Sequence, residues 1–146
     1  MPVLYTIGFT KKSAEKFFNA LINHKVRKVI DTRINNDSQL AGFAKNKDLK
    51  YFLKHIGDIE YSHELKFAPT KELLDKYRKK EINWEDYTKE YLALIENRKI
   101  TNGLTIEDLE GCCLLCSEDK PDKCHRRLLA EYLKNHFPSL EIIHII

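Results

Sequence analysis

Residues 114–133, LLCSEDKPDKCHRRLLAEYL, place two thiols, an imidazole and two adjacent guanidinium groups directly behind an apolar run. Cations beside a thiol lower its pKa from about 8.5 into the range of about 3.5–7.5, which makes a cysteine a nucleophile. A glutamate and a histidine at the same place suit proton transfer. An arginine beside the free N–H groups of a helix start suits a phosphate. Cys116, Glu118, Cys124 and His125 are therefore candidate catalytic residues, and Arg126 is a candidate anion ligand. Packing offers a plainer account of the thiols. Cysteine is common in buried strands, and Cys124 precedes Leu128 and Tyr132 at helical spacing. Glu118 could equally sit at the start of the next helix and interact with its dipole.

A second pair lies upstream. Asp31 and Arg33 are two apart, so on a strand their side chains face the same way. They form either a structural ion pair or an anion site in which Arg33 holds the anion and Asp31 orients it or another side chain. The CLLC segment (113–116) looks like a metal or redox pair, yet residues three apart on a strand point to opposite faces. Zinc on Cys116, Cys124 and His125 would lack a fourth ligand. No metal and no other cofactor is expected. The cysteine-to-arginine spacing of phosphatase loops is absent too.

The elements that must position these groups follow from periodicity. VLYTI (3–7) reads as a strand ending at Gly8. Ser13 can cap a helix that carries Phe17, Phe18, Leu21 and Ile22 on one face. VRKVIDTR is a second strand, 34–46 a loop, and KDLKYFLKHIGD a helix stopping at Gly57. IEYSH is a short strand. Two helices fill the middle, capped by Thr70 and Asn83, and TIEDLEG is a further short one. CCLLCSE is apolar throughout, as a central strand covered on both faces would be. Residues 121–137 read as a helix with Pro121 in its first turn, and LEIIHII closes the chain as a strand.

Alternating strands and helices predict an α/β fold: a single compact domain over 1–146, with a mostly parallel sheet and helices on both faces. In such sheets ligands bind beyond the carboxyl ends of the strands. TIGFT (6–10), DTR (31–33) and CSEDKPDKCHRR (116–127) all follow strands, so they should converge at that edge.

Composition narrows the classes of function. The chain has 146 residues, of which 42% are hydrophobic and 32% charged, as in ordinary globular proteins. No apolar run approaches the roughly 20 residues of a membrane helix, and no secretory signal opens the chain. A cytoplasmic location is the default expectation, with no membrane partner. All four cysteines (112, 113, 116 and 124) lie close together. That is no framework for stapling a domain, so they read as reduced thiols or site residues. A net charge of +3 and a pI near 8.6 fall short of a dedicated duplex-binding protein.

Taken in order, TIGFT, DTR, LLCSE (114–118) and CHR (124–126) resemble the family catalogued as domain of unknown function 488, along essentially the full chain. The resemblance implies a compact α/β fold with one pocket built from those motifs, and no assigned activity. Matched by position, the ligand-binding candidates are Thr6, Gly8, Thr10, Asp31, Arg33 and Arg126, beside the catalytic candidates named above. Ser38 and Phe43 match a looser segment of the family, and Tyr61 and His63 another. Cys112 and Cys113 match nothing and read as packing residues. The family's histidine after Gly8 is Phe9 here. If that histidine is a base in relatives, His63 or His125 must replace it, or its loss favours binding over catalysis.

The resulting expectation is an anion pocket for a nucleotide or other phosphorylated small molecule, in an enzyme or a binding domain. The alternatives are a nucleic-acid-binding module using the same pocket and its rim (Lys45, Lys47, Lys50), and a structural or adaptor protein.

Overall fold

The computed structural model describes residues 1–35, 42–118 and 120–146. Its framework is a five-stranded sheet made of β1 (Val3–Gly8), β2 (Lys28–Asp31), β3 (Glu60–His63), β4 (Cys112–Cys116) and β5 (Glu141–Ile145). The strand order is β3-β2-β4-β1-β5, and every pairing is parallel. Helices cover both sides, giving the expected α/β architecture.

The helices are α1 (Ala14–Asn23), α2 (Asn46–Gly57), α3 (Lys71–Arg78), α4 (Trp84–Asn97), α5 (Ile106–Leu109) and α6 (His125–His136). Ser13, Thr70 and Asn83 cap α1, α3 and α4 through their side chains, as their residue types predict. Thr105 and Asp108 form a reciprocal capping box on α5. α2 runs through Gly57, and Asp58 takes the left-handed position at its end (φ 52°).

Period-two alternation divides the core in two. Ile7, Val29, Cys113 and Leu115 pack with Phe17, Phe18 and Leu21 of α1 and Leu49 and Leu53 of α2. Leu4, Ile30, Cys112 and Leu114 pack with Tyr87 and Tyr91 of α4 and Leu128, Leu129 and Leu133 of α6. All five residues of β4 are buried, because that strand lies in the middle of the sheet under both layers. Cys112 and Cys113 are free thiols, one in each half of the core.

One boundary departs from the sequence reading. The last helix begins at His125, four residues after Pro121. The Cys124 N–H bonds the Pro121 carbonyl (3.3 Å) and closes a separate turn. Cys124 itself is extended (φ −135°, ψ 142°) and occupies the N-cap. Cys124 therefore caps the helix, and His125 and Arg126 are its first two residues.

Candidate functional site

Adjacent β1 and β4 send their chains to opposite sides of the sheet, β1 into α1 and β4 into α6. A crevice belongs at such a switch point. There Gly8 pairs with Cys116. A Cβ on residue 8 would lie 1.5 Å from the Glu118 carbonyl oxygen and 2.8 Å from Arg126 Nη1. Only glycine lets the chain beyond β4 fold down onto β1, which explains glycine at this position.

On the α6 side the centre is Arg126, fully buried. Its Nε donates to Thr6 Oγ1 (3.3 Å), and its Nη1 donates to Cys116 Sγ (3.0 Å) and to the Glu118 carbonyl. Thr6 and His144 face each other across β1 and β5. Thr6 Oγ1 also shares a hydrogen bond with His144 Nδ1, 2.6 Å away. Burial, and then the Arg126 charge, lower the His144 pKa, which favours the neutral ring. The sulfurs of Cys116 and Cys124 are brought together here. Cys112 and Cys113 are free thiols, whereas Cys116 and Cys124 lie together among the site candidates.

His125, also on this side, places Nε2 2.8 Å from the Thr32 carbonyl and 3.0 Å from its hydroxyl. A carbonyl only accepts, so Nε2 carries the hydrogen. Burial pushes the His125 pKa down to about 4; the Thr32 bond opposes this, and Arg126 adds to it. The ring is neutral at pH 7 and pins α6 to the end of β2. Thr32 in turn donates its hydroxyl to the Leu115 carbonyl (2.8 Å).

On the α1–α2 side, Arg33 Nε and Nη2 grip the two carboxylate oxygens of Asp31, both at 2.8 Å. The Arg33 N–H (3.1 Å) and the Tyr61 hydroxyl (2.6 Å) also donate to that carboxylate. Arg33 Nη2 reaches the Ala44 carbonyl (2.7 Å), and the guanidinium carbon lies 5.2 Å from the centre of the Phe9 ring. His63 Nε2 donates to the Arg33 carbonyl (2.6 Å). Arg33 is only 4% exposed, and its Nη1 has no hydrogen-bond partner among the described residues.

The candidates thus gather at one sheet edge, but in two networks. Thr6, Gly8, Cys116, Cys124, His125 and Arg126 lie on the α6 side, and Asp31 and Arg33 on the other. Thr32 joins them, since its side chain faces His125 while its neighbours face away. Glu118 contributes its carbonyl here, and the residue is exposed. Thr10 is exposed and binds the Ser117 carbonyl through both its hydroxyl (2.5 Å) and its N–H (3.1 Å). Phe43 packs on Phe17 and Phe18, and Ser38 lies outside the described residues. Of these candidates only Phe43 lines the surface cavity of about 490 Å³ between α1 and α2, and none lines the one of about 610 Å³ around the α3–α4 turn.

Sequence reasoning passed over three buried or half-buried polar residues, Thr32, His144 and Lys12. Thr32 was signalled by its place inside DTR, with the opposite strand parity. His144 was signalled as the one polar residue inside the apolar run IIHII. Lys12 carries no local signal, because nothing in KKS tells which lysine turns inward.

A parallel α/β domain with buried arginines at the switch point of its sheet is the class that fold and site define. The chain belongs to the family described as Domain of unknown function DUF488, whose sequence model matches residues 13–133. DTR, LLCSE and CHR fall within the matched stretch, and TIGFT precedes it. No curated protein and no solved structure matches the chain. No helix among the described residues is long and apolar enough to cross a membrane.

Proposed function

We propose that this sheet edge binds a small phosphorylated ligand, such as a nucleotide or sugar phosphate, through Arg33, in a cytoplasmic protein. The observation that carries the reading is Arg33 Nη1, a buried cationic donor without a partner among the described residues. Leaving a buried donor unmet costs about 1–3 kcal/mol, and more for a charged group. A phosphate oxygen would meet it. The two-pronged grip of Asp31 holds the guanidinium plane still, so the two open N–H bonds of Nη1 have fixed directions. The His125 Nε2 hydrogen is committed to Thr32 and is not available for proton transfer there.

Calorimetric titration with AMP and with inorganic phosphate at pH 7 tests this. Arg33→Lys keeps a cation for Asp31 but cannot serve both partners. It should weaken AMP by roughly tenfold or more, since about 1.4 kcal/mol is one decade. Affinity should fall shallowly with salt; a steep fall toward single-stranded RNA would favour a nucleic-acid interface instead. Unchanged AMP affinity in a natively folded Arg33→Lys protein overturns the reading.

A further inference from the structure

We propose that Cys116 and Cys124 are a reversible dithiol–disulfide centre, oxidised by hydroperoxides, in which Cys116 is the attacking sulfur and Cys124 resolves it.

Position argues against a mere staple. Their sulfurs already lie together, and a bridge between them would join residues eight apart in the chain. The same loop is already tied to the sheet by Arg126 on the Glu118 carbonyl and by Thr10 on the Ser117 carbonyl. A bridge closing so short a loop removes less entropy from the unfolded chain than one closing a long loop.

Surroundings argue for reactivity. Arg126 Nη1 lies 3.0 Å from Cys116 Sγ. A guanidinium at that distance stabilises a thiolate, the form that attacks peroxide. Cys124 sits at the N-cap of α6, where the helix dipole also favours a sulfur anion. Both residues are at most 4% exposed, which suits a small oxidant and excludes exchange with a protein disulfide. Cys112 and Cys113 are internal controls: burial raises both of their pKa values, and neither has a sulfur partner.

The chemistry balances in two steps. The Cys116 thiolate attacks one peroxide oxygen and the O–O bond breaks. Hydroxide leaves and takes a proton to become water, and Cys116 is left as sulfenic acid. The Cys124 sulfur then attacks the sulfenic sulfur; its proton and the departing hydroxide form the second water. Two electrons pass from the sulfur pair to the peroxide. A small dithiol reverses the process by exchange.

The test uses the full chain, reduced with dithiothreitol, exchanged into buffer at pH 7 and exposed to hydrogen peroxide. Alkylation under denaturing conditions and intact mass then count the thiols. The expected count falls from four to two, with a peptide cross-link between Cys116 and Cys124 that dithiothreitol reverses. Cys124→Ser should stop at a Cys116 sulfenic acid that dimedone traps, whereas Cys116→Ser should trap none on Cys124. Arg126→Gln should slow bridge formation by about tenfold, as expected if the thiolate fraction falls by that order. Should that variant unfold, the pair of serine variants carries the test alone. Oxidation of Cys112 or Cys113 at the same rate, or dimedone adducts on Cys124 rather than Cys116, overturns the proposal. None of these readouts depends on the phosphorylated ligand.

Discussion

Acidification should unlock the His125 pin, and the loss can be worked from its titration. The ring has a pKa near 6.5 in the unfolded chain and about 4 in the folded protein, chiefly because burial penalises the charged form. Asp31 opposes that shift, while Arg126 and Arg78 support it. The unfolded state therefore binds the extra proton, and stability rises with pH. This contribution is complete above pH 6.5 and is lost as pH falls toward 4. Two-state linkage with these values removes about 1.4 kcal/mol at pH 5.5 and about 2.5 kcal/mol at pH 4.5, relative to pH 8. Urea unfolding followed by the fluorescence of Trp84, the single tryptophan, measures this at each pH. His125→Gln keeps an N–H donor for the Thr32 carbonyl but cannot titrate. Its stability at pH 8 will differ from that of the parent, so the decisive quantity is the slope. The variant should lose less stability than the parent between pH 8 and 4.5, by about 2.5 kcal/mol. His144, whose pKa is also lowered, titrates in both proteins and cancels. Parallel pH profiles for the two proteins would refute a neutral, buried His125.

Gly8→Ala forces a methyl onto the Glu118 carbonyl and breaks its bond to Arg126. The expected loss is about 3 kcal/mol or more, seen as a fall of roughly 10 °C in the thermal midpoint. Asp31→Asn leaves the Arg33 guanidinium buried without its counter-ion, at a cost of about 3–5 kcal/mol in urea unfolding. Adding Arg33→Gln should restore part of that loss, because it removes the uncompensated charge. Thr32→Val removes the bond to the Leu115 carbonyl and the contact with His125. It should cost about 1 kcal/mol, and an NMR titration of the His125 ring should move with it.

The periodicity of the chain by itself determined the order and type of the elements. Apolar runs of strand length, apolar faces at helical spacing and side-chain caps such as Ser13, Thr70 and Asn83 are local signals that act within a few residues. The carboxyl-edge placement of TIGFT, DTR and CSE was legible for the same reason: each follows its strand directly. The start of α6 was misread because Pro121 suits a first helical turn and also a separate one. Only the Cys124 backbone, drawn toward Cys116, decided between them.

Which motifs became neighbours was a matter for the tertiary structure. Chain order puts DTR between TIGFT and LLCSE, whereas the sheet inserts β4 between β1 and β2. That insertion brings Arg126 onto Thr6 and Cys116 and brings His125 onto Thr32. Strand parity then separates Arg33 from Arg126 across the sheet. The parity of each strand can be read from its sequence, but the face that a given parity presents is set by which helices cover it. The pairing of Cys116 with Cys124 needs the same information. It joins a strand end to a helix cap, and the approach of those two points depends on Gly8 admitting the Glu118 peptide. Pairings between residues far apart in the chain arise from packing many elements at once, and no local pattern encodes them.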